Sequence, residues 1–585
     1  KLVCASFIPI GIAAISRWWV QEHTLLGVLI QKNGFANLRM VATVSSLVRQ
    51  FSLLREKCIM SKDARNQIHL TDDAKKKLHE FVAEAAVCGF GVDGPPVDTT
   101  FAEIEEFGHQ IGRLVGRAID ERLADQHAAH FREPVPCPSC QALCTPKEEL
   151  PERELQTKDG QVPIREPLCH CPACHRDFFP QRMSLKLDGR SYSPQVLETA
   201  MFCTARDPAF ELAAETLQET ADIQISARHL QNLSKRIGGE LESERDAQTD
   251  AYFEQPLPRQ PTVPSTPIRL AYVSIDGGRI QTRLDAGSSG VQDPHWRETK
   301  NALFLRMTGK QFDTDPHPEL PDCFRDHKYM DNLLSGVCDE EAESSPAEKS
   351  DLKSWRPERL FRTCLSSMCD SNSFGRMMEA EADSRGFFAA EKSAFVCDGL
   401  QYNGTIQKRH FPNFVPILDF PHAVERAYEA ARAVREHAEE VWSCFVGWAR
   451  ACWEGRVEEM LADMRRYQET LGTPPKDCAE KDSRRILAEA ITYFENNASR
   501  MDYPRYRTEG LPMTSAYMES FVKEINYRVK GTDKFWNDGD SAEAILQLRA
   551  AKLSDDDRLG RHMRSRPGNP FRPNVKYQPE MTTSV

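Results

Sequence analysis

"IRLAYVSIDGG", residues 268–278, is an apolar run that ends in an aspartate followed by two glycines. β-branched and aromatic residues between Leu270 and Ile275 read as a strand, and Asp276 closes it. "FVCDGLQYN", residues 395–403, repeats the arrangement with Asp398 at the tip. Two apolar strands that each deliver a carboxylate at their end point to a metal site. For either aspartate alone, a turn or cap residue is the plainer reading.

Around these two stretches the pattern is one of strands. "LAYVSID", "RIQTRLDAG" and "NALFLRMTG" form an antiparallel meander, whereas "SAFVCDGL" and "FVPILDF" are short, continuous apolar runs of the kind buried in parallel sheets. Three hairpin strands followed by two buried ones, with helices between, is the order of an RNase H-like α/β core with a mixed five-stranded sheet. In that order the ends of the first and fourth strands lie side by side, so Asp276 and Asp398 share a site. The third ligand is expected from "SAYMESFVKEINYRVKG", where Met518, Phe521, Ile525 and Val529 recur at helical steps and Glu519 lies at the edge of their stripe. Three carboxylates suit magnesium or manganese, two of which at about 3.5–4 Å can activate a nucleophile and stabilise a leaving oxygen at phosphorus.

Upstream, "CPSCQALC" and "CHCPACHRDFFP" supply Cys137, Cys140, Cys171 and Cys174, two CxxC turns that together make a closed zinc ribbon. Cys144, Cys169, His170 and His175 blur the ligand list, and a redox dithiol or unligated thiols are the alternatives. Next, "TADIQIS" separates two helical stretches in the layout of a helix-turn-helix, with Arg228, Lys235 and Arg236 on the second. A helical hairpin packed for structure alone reads the same way. Prolines between residues 251 and 267 mark a linker. Near the N-terminus, Ile104, Phe107, Ile111, Leu114 and Ala118 form a stripe that reads as a core helix.

The chain has 585 residues and a formal net charge of -12, enough for several domains and too acidic for wholesale coating of nucleic acid. The charge is uneven: Arg558, Arg561, Arg564, Arg566, Arg572 and Lys576 form a basic C-terminal run free of acidic residues. No stretch reaches the roughly 18 apolar residues of a membrane span. The 18 cysteines, grouped in CxxC pairs, fit a reducing compartment and metal better than disulfides. The first methionines are Met40 and Met60, and the residues before them read as sequence upstream of the folded part.

Four blocks together carry a family resemblance: "VSIDGGRI" (273–280), "HWRETKNALF" (295–304), "FVCDG" with "FPNFVPILDFPHAVERA" (395–399 and 411–427), and "YFENNASRMDYPRYRTEGLPMTSAYMESFVKEINYRVKGTDKFW" (493–536). They resemble the ISKra family of bacterial insertion-sequence transposases, a DDE group related to Mutator-like transposases, and the likeness extends from about residue 100 to 555. The resemblance implies Asp276, Asp398 and Glu519 as a magnesium-binding catalytic triad. It also matches Asp419 and His422 in "DFPH" to a C/D-x-x-H signature near the active site. The family's glycine-serine-glycine turn before the glutamate is here "MTSAY", without either glycine.

The expected organisation is therefore an N-terminal extension (1–60), a helical unit (61–130), the zinc ribbon (131–182), the helix-turn-helix (183–250) and a linker (251–267). The catalytic domain (268–555) then carries a polar insertion (311–358) and an all-helical insertion (421–505), and a basic flexible tail (556–585) follows. The expected activity is binding of terminal inverted repeats and metal-dependent cleavage and transfer of double-stranded DNA, by a homodimer or higher oligomer in the bacterial cytoplasm, nucleoid-associated and without membrane contact. Lys300, Lys523, Arg528 and Lys530 are further phosphate-contact candidates. An RNase H-like resolvase without strand transfer, and an inactive transposon-derived DNA-binding protein, are the rival readings.

Overall fold

The computed structural model describes residues 70–148, 150–283, 295–335, 355–475, 477–531 and 534–572. The extension at 1–60, the centre of the polar insertion and the last residues of the tail, Lys576 among them, lie outside the described residues.

Five strands form a mixed sheet: β7 (Leu270–Gln281), β8 (Trp296–Met307), β9 (Arg359–Ser367), β10 (Lys392–Cys397) and β11 (Val415–Leu418), in the spatial order β11-β10-β7-β8-β9. β7, β8 and β9 are antiparallel, whereas β10 runs parallel to both β7 and β11. The hairpin strands are joined through chain reversals, while each parallel strand is reached through a helix, Ser371–Ser384 before β10 and Gln401–His410 before β11. Strand alternation sorts the apolar residues into two cores. Leu270, Tyr272, Ala394 and Val396 face the larger one with Met518, Phe521 and Ile525, while Ala271, Val273, Phe395 and Cys397 face the smaller one with Phe374, Met378 and Ile406.

The expected helical insertion is present as Phe420–Val434, Ala438–Trp453, Val457–Leu471, Ser483–Asn497 and Tyr503–Glu509. Trp448 and Trp453 are buried in its core, and Trp442 stacks on His327 with ring centroids 3.6 Å apart. The polar insertion is less peripheral than its composition indicates. Asp315 accepts from Nε of the fully buried Arg507 at 2.8 Å, and Phe324 and Trp355 join the larger core.

Other segments are tied to the catalytic sheet more closely than their sequence indicates. The second helix of the expected helix-turn-helix is long, Ala227–Glu254, and packs along Gly539–Leu553. At Gly238 an added Cβ would meet the Ala544 carbonyl oxygen at 2.2 Å, so only glycine permits that approach. Leu230, Leu233 and Ile237 share the sheet's larger core, and so the 183–250 region is not packed separately from 268–555. The expected linker accordingly begins inside a helix.

The basic tail is also not free over its described part. Arg558–Ser565 is a helix, and its cations are matched by carboxylates: Arg558 with Glu381 at 2.7 Å, Arg561 with Asp556 at 3.0 Å, Arg564 with Asp557 at 2.6 Å and Arg566 with Glu240 at 2.6 Å. Beyond it, Phe571 enters the cysteine ribbon, Phe179 N donates to Pro570 O at 2.6 Å, and Arg182 Nη1 donates to Phe571 O at 3.0 Å.

Contacts divide the chain after Ile111. In the first unit, Asp72–Phe90 is capped by Thr71 and stopped at Gly91, and Phe90 meets Phe107 edge-to-face at 5.1 Å. Helix Phe101–Ala128 starts with a reciprocal Thr100–Glu103 cap. Its stripe is not the expected core: Ile104 is 37% exposed and Leu114 52% exposed. Among the described residues, no helix is long and apolar enough to cross a membrane.

Candidate active site and metal centres

The pairing of β10 with β7 sets the site. Val396 lies opposite Ser274 in the parallel register, and two more residues along each chain bring Asp398 beside Asp276. Alternation aims both carboxylates at the face covered by helix Ala516–Val529, which packs on β7 and β8 and carries Glu519 in its first turn. Asp276 Oδ1 accepts from Gly277 N at 2.7 Å, and Asp398 Oδ1 accepts from Asn403 Nδ2 at 2.6 Å and Leu400 N at 3.2 Å. The glycine after Asp398 is required by packing, because a Cβ at Gly399 would lie 2.1 Å from the Tyr493 ring.

Charge accumulates here. Burial, followed by the like charge of Asp398, pushes the Asp276 carboxyl up to about 6, and Glu519 adds to the repulsion. Burial and then Asp419 raise Glu519, against the opposing pull of His422 and Lys523. Burial alone would depress the His422 imidazolium, but its bond to Asp419 outweighs this and lifts it to about 10. His422 is therefore a cation at neutral pH, set among five carboxylates, those of Asp276, Asp398, Asp419, Glu425 and Glu519.

The expected triad and the tightest grouping differ. Ligand atoms of Asp419, His422 and Glu519 lie within 4.8 Å of one another, and among the described residues Asp276 and Asp398 do not join that group. Asp419 is fully buried at the end of β11 and caps helix Phe420–Val434, accepting from His422 N at 3.0 Å and from His422 Nδ1 at 2.5 Å. Its other oxygen accepts from Ser515 N at 2.5 Å, at the start of the Glu519 helix. Sequence reading picked out Asp419 and His422 but missed Ser515, since nothing local in "MTSAY" signals a partner 96 positions away. The missing glycines matter little, because Thr514 and Ala516, which stand at their positions, are not among the residues of positive φ.

The carboxylate oxygens of Asp276, Asp398, Asp419 and Glu519 are of the hard type that divalent cations such as magnesium prefer, and the ring of His422 adds a nitrogen beside Asp419 and Glu519.

The second centre is the ribbon. Cys137 and Cys140 follow β1 (Val135–Pro136), paired with β2 (Leu143–Cys144), while Cys171 and Cys174 lie at the turn between β5 (Cys169–Cys171) and β6 (Arg176–Phe178). The hairpin of β3 (Glu152–Thr157) and β4 (Gly160–Arg165) stands between them. The residue after each turn adopts a left-handed conformation, Gln141 at φ 62 and His175 at φ 52. Cys140 Sγ and Cys171 Sγ are 3.5 Å apart, and Cys137 Sγ and Cys174 Sγ 4.0 Å. A tetrahedron with Zn–S bonds of about 2.3 Å has edges of about 3.8 Å, so the four sulfurs are spaced to hold zinc. Backbone N–H groups aim at sulfur, Ser139 N to Cys137 Sγ and Cys174 N to Cys171 Sγ, and the latter brings the Cys171 thiol down to about 6. The extra candidates separate out: burial raises Cys144 and Cys169 to about 11, and His170 pairs with Asp177 at 2.9 Å.

The proposed phosphate contacts divide. Lys523, Lys530 and Arg228 are exposed, with Arg228 donating to Gln231 at 3.0 Å. Lys235 pairs with Asp538 at 3.1 Å, Arg236 with Asp188 at 2.7 Å, and the buried Lys300 with Glu298 at 3.1 Å. Arg528 is a correction: it is buried, donates to Thr204 O at 2.9 Å and Pro208 O at 3.2 Å, and lies over Phe210. Arg528 braces the Glu519 helix instead of meeting solvent.

Compared with known proteins, the chain matches no family model and no curated protein.

Proposed function

We propose that this chain is a DDE transposase with an RNase H-like catalytic core, akin to the ISKra group. The observation that carries the reading is the closeness of Asp276, in β7, to Asp398, one residue past the end of the parallel strand β10, at the face on which the helix that bears Glu519 packs. The sheet order and directions support the fold assignment, and the helices between β11 and Glu519 stand where the resemblance puts its insertion. Asp276, Asp398 and Glu519 hold magnesium or manganese, which when bound stabilises charge on the attacking and leaving oxygens.

In this reading water attacks phosphorus at the element end, the P–O3' bond breaks, and a free 3'-hydroxyl remains. That hydroxyl then attacks a target phosphodiester, forming a new P–O bond and releasing a target 3'-hydroxyl. The protonated His422 attracts the phosphate beside Glu519, and exposed Lys523 and Lys530 meet the flanking backbone. The Cys4 ribbon holds structural zinc and presents the N-terminal region to double-stranded DNA. Two element ends call for at least two copies.

The test is cleavage and joining of a labelled DNA end taken from the flanks of the gene, by the full chain with magnesium, manganese or chelator. Metal-dependent cutting and joining that vanish in Asp276→Asn are expected. Cutting without joining would favour a resolvase-like nuclease, and binding without cutting an inactive descendant.

A further inference from the structure

Asp419 ties together the two segments that deliver carboxylates to the site. Its backbone N–H donates to the carbonyl of Cys397 at 3.0 Å, immediately before Asp398. Its side chain accepts from Ser515 N, four residues before Glu519, and the adjacent Phe420 N donates to Met513 O at 3.0 Å. One fully buried residue therefore fixes both the end of β10 and the entry of the Glu519 helix.

Both carboxylate oxygens are engaged. Oδ1 receives the Ser515 amide, and Oδ2 receives the amide and the ring nitrogen of His422. A carboxylate already accepting three N–H bonds in a dry site has little to offer a cation. These bonds take three of the roughly four lone-pair directions of the carboxylate, so holding the backbone is its main use. Helix capping explains only the His422 amide bond. The Ser515 bond joins a different helix, and a cap does not require it.

We infer that Asp419 is a positioning residue: it holds the first turn of the Ala516–Val529 helix so that Glu519 reaches the cation shared with Asp276 and Asp398, and it is not itself a ligand. The inference rests on the metal-site reading above. His422 serves the same clamp by placing both its backbone and its ring nitrogen on Asp419 Oδ2.

The test uses the full chain, with Mn2+ as probe. Wild type, Ser515→Pro, Asp419→Asn and Asp419→Ala are compared by electron paramagnetic resonance of bound Mn2+ and by hydrogen exchange of the amides around residues 516–520. Ser515→Pro removes the N–H donor and leaves the Asp419 and His422 side chains unchanged. Outer partners of metal ligands commonly carry about 10- to 100-fold in affinity, and a loss in that range is expected for Ser515→Pro and Asp419→Ala, with faster exchange of the first turn. Asp419→Asn keeps an acceptor for Ser515 and is expected to retain more affinity than Asp419→Ala. Wild-type Mn2+ affinity in Ser515→Pro would overturn the clamp while leaving the metal site standing. A wild type that binds no Mn2+ would overturn both, and unchanged first-turn exchange in Asp419→Ala would overturn the clamp independently of metal.

Discussion

Asp398 stands beside Asp276 across the parallel pairing of β10 and β7, and the two carboxylates crowd one another in a largely buried place. The folded protein thereby carries a repulsion that a cation would relieve. Asp276 has a folded value of about 6 against the usual 3.8. A raised carboxyl contributes stability that is complete below pH 3.8 and is lost as pH rises through 6. In chelator at pH 8, Asp276→Asn should therefore melt above wild type, by about 2–3 kcal/mol from the size of the shift, with the gap closing toward pH 4. Mn2+ should raise the melting temperature of wild type and leave the variant nearly unmoved.

The ribbon makes a separate prediction. Metal analysis of the purified chain should find zinc, and Cys174→Ser should lose it, whereas Cys144→Ser and Cys169→Ser should keep it, because those thiols pack in the ribbon without joining the four-sulfur group. Loss of the metal should also free the segment around Phe571, which limited proteolysis would detect.

Arg528 and Lys523 share one helix and should fail differently. Arg528→Ala strands the buried Thr204 carbonyl and the half-buried Pro208 carbonyl and opens a cavity over Phe210, at a cost of roughly 3 kcal/mol read by denaturant unfolding. Lys523→Ala should leave stability alone and lower the salt dependence of DNA binding by about one unit of slope. Equal stability of the two variants would contradict the burial of Arg528.

The C-terminal helix should loosen in alkali. His562 lies 3.0 Å from Glu244 and 3.3 Å from Glu240; burial opposes its charge, but these carboxylates prevail and raise it to about 8, while His562 and Arg566 overcome burial to bring Glu240 down to about 2. The histidine's contribution is complete below pH 6.5 and lost as pH rises through 8. The glutamate's is complete above 4.5 and lost as pH falls through 2. Hydrogen exchange of Arg558–Ser565, corrected for intrinsic rate, should thus show opening that grows by about 10- to 30-fold from pH 6 to pH 9. His562→Gln should abolish that dependence.

The strands, the cysteine turns and the carboxylates that face the sheet's larger core were legible because they are written at short range. Alternating or continuous apolar runs with an acidic tip identify Asp276 and Asp398, the paired CxxC turns identify the ribbon, and a three-four spacing places Glu519 at the edge of a buried stripe. Each is a local pattern whose period is set by backbone geometry.

The rest depends on which distant segments meet. The basic run from Arg558 reads as a solvated tail until Glu381, Asp188 and Glu240 are folded against it. Arg528 reads as an exposed cation until Thr204 and Pro208 supply carbonyls, and Ser515 has no visible role until Asp419 reaches its amide. Local periodicity decides where a side chain points, and that much the sequence determined alone. Whether it then meets water, a carboxylate or a carbonyl is decided by packing between residues far apart in the chain, and only the tertiary structure settles it.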